Sequence, residues 1–333
     1  MEDAVRLSER KEAILQAVVE EYMATARPVG SGLVTDQSSV TVSSATVRKE
    51  LSALEDEGFL HQPHTSAGRV PTDKGYRYFV DALMGPSQLD ATINQRITDF
   101  FATSHGELER ILTDTSRLLA GVTGSASVVV APRSVTATVR AVQLVELEPQ
   151  VLLLVVVLST GGIERRTIEL THAMSSDQIL RAQSMLETTM VDAHEFSAIP
   201  SGDPDVDGLV ATAIGALTGS NDEPRVHVGG RARVAGAFDE TETVAHILQL
   251  FERQLLVVSL IRDVLDRGLS VAIGAETGVQ NLNECSIVVA PYEVDGSEAG
   301  SIGVLGPTHM NYPQALAAVA VVSAELGEHL TRG

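Results

Sequence analysis

The residues best suited to chemistry lie between positions 43 and 69. Ser43, Ser44 and Thr46 open a stretch in which Val47, Leu51 and Leu54 recur at helical spacing, which turns Arg48 and Lys49 away from the apolar face. Short hydroxyls let a helix start approach a DNA groove closely, and the free amides of a first turn beside two cations suit phosphate. Arginine can also pair with guanine through two hydrogen bonds in the major groove. A capped helix facing only solvent would carry the same residues. The loop 63–68, which includes His64, Thr65 and Ser66, holds no acid and runs into Arg69. Beside such a helix it reads as a wing that reaches the backbone or minor groove.

These residues need elements to hold them. Residues 7–26 predict a helix, with Ser8 as N-cap, Glu9 and Glu12 at the positive end of the dipole, and Ile14, Leu15, Val18, Val19 and Tyr22 on one face. Pro28 and Gly30 end it, and a short helix fits residues 31–36. Ser43 caps a third helix to about residue 57, closed by Gly58. Short extended pieces at 59–61 and 69–70 flank the polar loop, and Thr72 caps a further helix over 73–84. Three helices followed by a two-stranded ribbon is the order of a winged helix-turn-helix, here expected over residues 1–84.

The pattern then changes. A helical stretch over 89–120 weakens at His105-Gly106, and Val- and Leu-rich strands are expected at 127–131, 139–147, 151–158 and 163–170. A helix over 176–191 follows. Strands return at 271–274, 287–291 and 301–305, before a last helix over 313–330. The intervening stretch ends in a long predicted helix that starts at a capping-box-like Asp239/Glu242 and stops at Gly268. Val244, Ile247, Phe251, Gln254, Val258, Ile261 and Leu265 step along it by threes and fours, the spacing of a helix–helix seam, and the apolar six are the candidate dimerisation residues. The expected organisation is α+β and multidomain: a sheet domain over 89–191 and 269–333, interrupted by an insertion over 192–268.

Composition removes several function classes. The chain has 333 residues, and its Lys and Arg number 24 against 44 Asp and Glu, a formal net charge of −20. Residues 1–84 carry −4 of this and the remainder −16, which argues against a generic nucleic-acid coat and leaves room only for a small local DNA face; the charge balance alone favours neither reading. The longest apolar runs have eight residues, whereas a membrane helix needs about 20, so no membrane partner is expected. The acidic first residues lack the pattern of a secretory signal. Cys285 is the lone cysteine, which leaves no internal disulfide or cysteine-rich zinc site and suits a reducing cytoplasm.

The remaining candidate sites fail on their spacing. Residues 203–208 imitate the start of a calcium loop, but Ile214 stands where the twelfth-position glutamate belongs. His194-Glu195 lacks the second histidine of a zinc-protease helix, and His61 and His64 have no ligand partners nearby. Arg165-Arg166 suits either an anionic ligand or a solvated turn. No phosphate-loop, dinucleotide or nucleophile-elbow motif is present. Neither a catalytic site, a metal nor a cofactor is expected.

Longer motifs add a resemblance. Residues 28–31 (Pro-Val-Gly-Ser), 42–48 (Val-Ser-Ser-Ala-Thr-Val-Arg), 54–58 (Leu-Glu-Asp-Glu-Gly) and the block 62–77, from Gln62 to Arg77, closely resemble HrcA, a family of bacterial heat-inducible transcription repressors. The likeness continues at residues 303–310 (Gly-Val-Leu-Gly-Pro-Thr-His-Met). Lys49-Glu50 stands where the family usually has Asn-Asp, and His309 and Asn311 replace an Arg and an Asp. The resemblance implies a winged helix-turn-helix, then a GAF-like domain interrupted by an inserted dimerising domain. It further implies a homodimer on double-stranded DNA at an inverted-repeat operator (CIRCE) of chaperone genes, kept active by the GroEL chaperonin. A repressor that senses a small molecule through the GAF-like domain is the competing expectation.

Overall fold

The computed structural model describes residues 6–35, 42–64, 67–85, 88–132, 139–158, 163–191, 200–218, 225–238, 241–268 and 270–332. The chain mixes helices with antiparallel sheets.

Helix α1 (Glu9–Thr25) starts at Ser8, whose hydroxyl accepts from the Lys11 amide, and buries Ile14, Leu15, Val18 and Val19. After a left-handed turn at Ala26 come α2 (Ser31–Thr35) and α3 (Ser44–Asp56), the latter burying Val47, Leu51 and Leu54 against α1. Strands β1 (Leu60–His61) and β2 (Val70–Pro71) pair antiparallel as Leu60↔Pro71 and His61↔Val70. Helix α4 (Asp73–Tyr78) is capped by Thr72, whose Oγ1 accepts from Gly75 N. The expected continuous helix over 73–84 instead widens into a π-helical turn at Phe79–Leu83.

Helices α5 (Ala91–Thr103) and α6 (Leu108–Thr123) lead into β3 (Ala126–Val130). The next three strands, β4 (Val139–Glu148), β5 (Val151–Leu158) and β6 (Ile163–Glu169), form a sheet of their own, with β5 central. Helices α7 (Ser176–Met190) and α8 (Pro204–Thr218) cover one of its faces, where Leu152, Leu154 and Val156 meet Ile179, Leu186 and Val210. The short strand β7 (Val226–Gly229), which the sequence did not suggest, then returns to pair with β3.

The rest of the chain builds around β3. Helices α9 (Arg231–Ala237), α10 (Thr241–Glu252) and α11 (Gln254–Asp266) precede β8 (Val271–Ile273), β9 (Cys285–Val294), β10 (Ser297–Pro307) and α12 (Tyr312–Arg332). The five-stranded order is β7-β3-β10-β9-β8, antiparallel throughout. Both faces are covered. Val129, Val288, Ile302 and Val304 share a core with α12 and α6, while Val128, Val130, Ile287 and Val289 face α10 and α11. Side chains alternate across a pleated strand, so a sheet covered on both faces needs apolar residues at every position.

Two expectations are corrected. The segment that leaves and re-enters the five-stranded sheet is 139–218, because β7, α10 and α11 belong to that sheet's own core; the boundaries 192–268 cut through it. The expected single helix to Gly268 is two helices bent by 98° at Arg253. Ile247, Phe251, Val258 and Ile261 are buried within the chain, and the half-buried Val244 and Leu265 pack beside them, so most of this stripe is covered by the chain's own sheet. Helical spacing records that a face is buried and carries no information on whether the cover is another chain or the chain's own sheet. Asp239 lies outside the described residues. No single helix among those described is long and apolar enough to cross a membrane.

Candidate nucleic-acid interface

The start of α3 is built as its sequence predicts. Ser43 is extended, and its Oγ accepts from Thr46 N at 3.2 Å and lies 2.9 Å from Thr46 Oγ1. This satisfies one of the amides that a helix start leaves without an internal partner. Ser43 is exposed and Ser44 and Thr46 are half-buried, while Val47 on the opposite face is fully buried. The first turn holds no acid.

Arg48 and Lys49 are both exposed, in line with their place away from the apolar face. Arg48 leans across to α2, where its Nε donates to Ser31 Oγ at 3.3 Å. Lys49 forms no ion pair among the described residues. Glu50, one position on, turns back to Arg10 at 3.6 Å. The helix therefore offers two cations, one steadied by a neighbouring hydroxyl and one free to reach. Ser31 was missed as a site residue, although it closes the motif 28–31.

Arg69 is placed differently from the expectation. Its backbone pairs with Val29, N to O at 2.8 Å and O to N at 2.9 Å. Its Nη2 meets Glu55 Oε2 at 2.8 Å, with the side chain only 16% exposed and its Nε buried without an acceptor. The guanidinium therefore ties the ribbon to α3, a structural task that its expected place as a wing anchor did not include. Beside it, Gly68 passes so close to the backbone of Pro28 and Val29 that a Cβ would collide with both. The acid that claims Arg69 stands within the motif 54–58, and that was its only trace in the sequence.

His64 is exposed at the turn, and its carbonyl accepts from Ala67 N at 2.8 Å. Gln62 Nε2 donates to Ala67 O at 2.8 Å, closing the loop from the other side. Thr65 and Ser66 lie outside the described residues. Lys74 Nζ donates to Glu57 O at 2.8 Å and sits 4.4 Å above the Phe59 ring, so it caps the end of α3. The brought-together set is thus Ser43, Ser44, Thr46, Arg48 and Lys49 on the first two turns of α3, with His64 at the tip of the ribbon. In the calcium-like segment, Asp207 Oδ1 accepts from Ser201 N at 2.7 Å and Asp203 Oδ1 from Asp205 N at 3.2 Å, which are helix-start contacts.

The family described as HrcA protein C terminal domain matches residues 109–316. A heat-inducible transcription repressor HrcA of Nocardia farcinica is 36% identical over 97% of this chain and 96% of its own length. Those of Streptomyces avermitilis and Mycobacterium leprae are 34% and 35% identical, again over 97% of this chain, and over 99% and 98% of theirs. A crystal structure described as that of a hypothetical protein superposes with a TM-score of 0.69 at 22% identity, covering 98% of this chain and 99% of that one. At that identity the likeness concerns the fold.

Proposed function

This chain belongs to the HrcA family of heat-inducible transcription repressors, and from that premise we propose how its parts divide the work. Residues 1–84 are a winged helix-turn-helix, and the five-stranded sheet with α5, α6 and α9–α12 is the GAF-like domain. The chain represses heat-shock genes by laying the start of α3 into the major groove of an inverted-repeat operator. Ser43, Ser44 and Thr46 sit against the groove edge, Arg48 and Lys49 take base or phosphate contacts, and His64, Thr65 and Ser66 bring the wing to the adjoining backbone. The observation that carries this reading is the Ser43-capped, acid-free first turn with both cations exposed and Val47 buried beneath it.

An inverted repeat calls for a two-fold protein, since each recognition helix then meets one half-site. The dimer contact is the uncovered face of the three-stranded sheet. On β5, Val151, Leu153, Val155 and Val157 look away from α7 and α8, next to the exposed Val145 and Ile163. A strand apolar on both faces with only one of them covered fits a second copy better than solvent. Glu169 pairs with Val151 at one end of that stripe, and Arg165 pairs with Val155 in its other half. A two-fold axis sets the Arg165 end of one face over the Glu169 end of the other.

Heat lowers operator affinity when the fold opens and the second half-site is lost with it. Most apolar residues of α10 and α11 are hidden in the folded chain, with Leu255 and Leu256 exposed, so an opened molecule offers a larger apolar surface to a GroEL-type chaperonin. Repressor, operator and chaperonin then meet in the bacterial cytoplasm. A footprint on an inverted-repeat chaperone promoter tests the reading. Protection of both half-sites, lost on heating and regained with chaperonin and ATP, is expected, and no protection overturns it.

A second reading has one observation in its favour. An open cleft of about 660 Å³ separates the DNA-binding unit from the sheet, lined by His61, Lys74, Tyr76, Asn283, Glu284 and Thr308. The buried Tyr76 hydroxyl has no hydrogen-bond partner among the described residues. A metabolite that releases the operator would favour a small-molecule sensor.

A further inference from the structure

The helix after the wing is bolted to the sheet by one of its faces. Asp73, Tyr76 and Arg77 stand at i, i+3 and i+4 on α4, so they share a side, and all three meet the β8 end of the five-stranded sheet or its neighbour α12. Arg77 Nε donates to Glu276 Oε1 at 2.9 Å, its Nη2 bonds both Glu276 Oε2 and the Val271 carbonyl, the latter at 2.8 Å, and its Nη1 reaches Asp81 on its own helix. Glu276 is itself aimed by Ile273 N, which donates to its Oε2 at 2.9 Å. Asp73 Oδ2 accepts from Ala275 N at 3.2 Å. The Tyr76 ring lies 5.7 Å from Tyr312, whose hydroxyl bonds Ser286 Oγ and the Thr308 carbonyl.

The geometry is specific in orientation as well as distance. A planar guanidinium gripping both oxygens of one carboxylate fixes the angle between two bodies, which a lone ammonium would not. Burial works to lower the Arg77 pKa, but the hydrogen bonds and charge of Glu276 outweigh it and hold the group above its ordinary value. The receiving turn is shaped to match. Gly274 has φ +53°, and a Cβ there would collide with the Asp73 carboxylate. Neither Arg77 nor Asp73 is needed to close the core of the DNA-binding unit, since both point out of it towards residues about 200 positions later in the chain.

We propose that Arg77, Asp73 and Glu276 are positioning residues for operator recognition: the clasp sets the recognition helix at one fixed attitude to the sheet, and thereby sets the half-site spacing that a dimer accepts. The inference rests on the dimeric repressor described above. Each base pair added between half-sites rotates one of them by roughly 35° about the duplex, given 10–10.5 base pairs per turn. A rigidly held helix cannot follow that rotation, whereas a tethered one can.

The test uses the full chain with Arg77→Lys, which keeps the charge and loses the two-oxygen grip, and Glu276→Gln, which keeps the shape and loses the charge. Binding is titrated on three duplexes: the intact inverted repeat, the same repeat with its spacer changed by one base pair, and a single half-site. Wild type should strongly prefer the intact spacing. Both variants should bind the half-site within about twofold of wild type, lose about tenfold or more on the intact repeat as avidity falls, and hardly distinguish the two spacers. A purely structural role would weaken the half-site and the repeat alike, and that result overturns the proposal, as does an undiminished spacing preference. If wild type protects no repeat at all, the repressor reading fails and takes this inference with it; wild-type binding with variants unchanged sinks the clasp alone. Thermal unfolding of each variant identifies any that has not folded, and the other then decides.

Discussion

Arg69 and Glu55 form an ion pair, Nη2 to Oε2 at 2.8 Å, that joins the ribbon to the helix it was expected to flank on DNA. The pair separates stability from recognition within a few residues. Arg69→Ala removes a charged hydrogen bond from a mostly buried setting and should cost on the order of 1–2 kcal/mol of stability, read as a lower thermal midpoint. The slope of operator affinity against salt should stay where it is. Lys49→Ala should do the reverse, leaving the midpoint within error and flattening the salt slope by about one.

Ser43 has two tasks that substitution can separate. Ser43→Ala loses the cap and should destabilise the chain by about 1 kcal/mol, with weaker operator binding. Ser43→Asp keeps a capping oxygen but sets a negative charge where phosphate is expected. It should therefore melt near wild type yet bind the operator at least tenfold more weakly in a titration. Equal binding by the Asp variant would place the duplex elsewhere.

The dimer assignment predicts opposite outcomes on two apolar surfaces. Leu153→Lys, on the uncovered face of the three-stranded sheet, should give a folded monomer by light scattering. Ile247→Ala, in the core shared by α10 and the five-stranded sheet, should cost roughly 2–5 kcal/mol through the cavity it leaves. It should leave the folded chain dimeric.

His227 supplies a pH dependence. Burial lowers its pKa below the ordinary 6.5, against the pull of Glu109, and its Nε2 is buried without a partner while Nδ1 lies 2.9 Å from Thr113 Oγ1. The unfolded chain therefore binds the proton more readily than the folded one. The neutral ring's contribution is complete above pH 6.5 and is lost as pH falls below it. His227→Gln should flatten the fall in thermal midpoint between pH 7 and pH 5.

Cys285 is fully buried, and burial first, then Glu284, pushes its thiol up to about 12. A thiol reagent at neutral pH should leave the native chain unlabelled and react only as it opens. Labelling on a temperature ramp should rise together with the loss of operator binding if opening of the fold is what releases DNA.

Much of this protein was readable from local pattern. The Ser8, Ser43 and Thr72 caps, the faces of α1 and α3, the ribbon order and most strands depend on residues within a few positions of each other, and there the sequence states its own requirements. The cation pair at 48–49 was legible for the same reason: Val47, Leu51 and Leu54 bury one face, so their neighbours must face out. Arg69 was not, because an exposed and a buried arginine look alike until Glu55 is known to lie across from it. The strand β7 was missed because four residues, Val226–Gly229, give too short a pattern to separate from a loop.

What the sequence settled alone is periodicity: which positions are buried, where helices start, and that a small face near residue 43 could meet an anion inside a strongly acidic chain. What covers each buried face was decided by tertiary structure. The run on β5 and the stripe along α10 and α11 look equally apolar in one dimension, yet the first is left open on one side and the second is sealed against its own sheet. Hydrophobic burial is non-directional, so a pattern demands cover without naming it. Only long-range contacts such as Arg77 with Glu276, or β7 with β3, choose the partner, and their residues lie about a hundred or more positions apart.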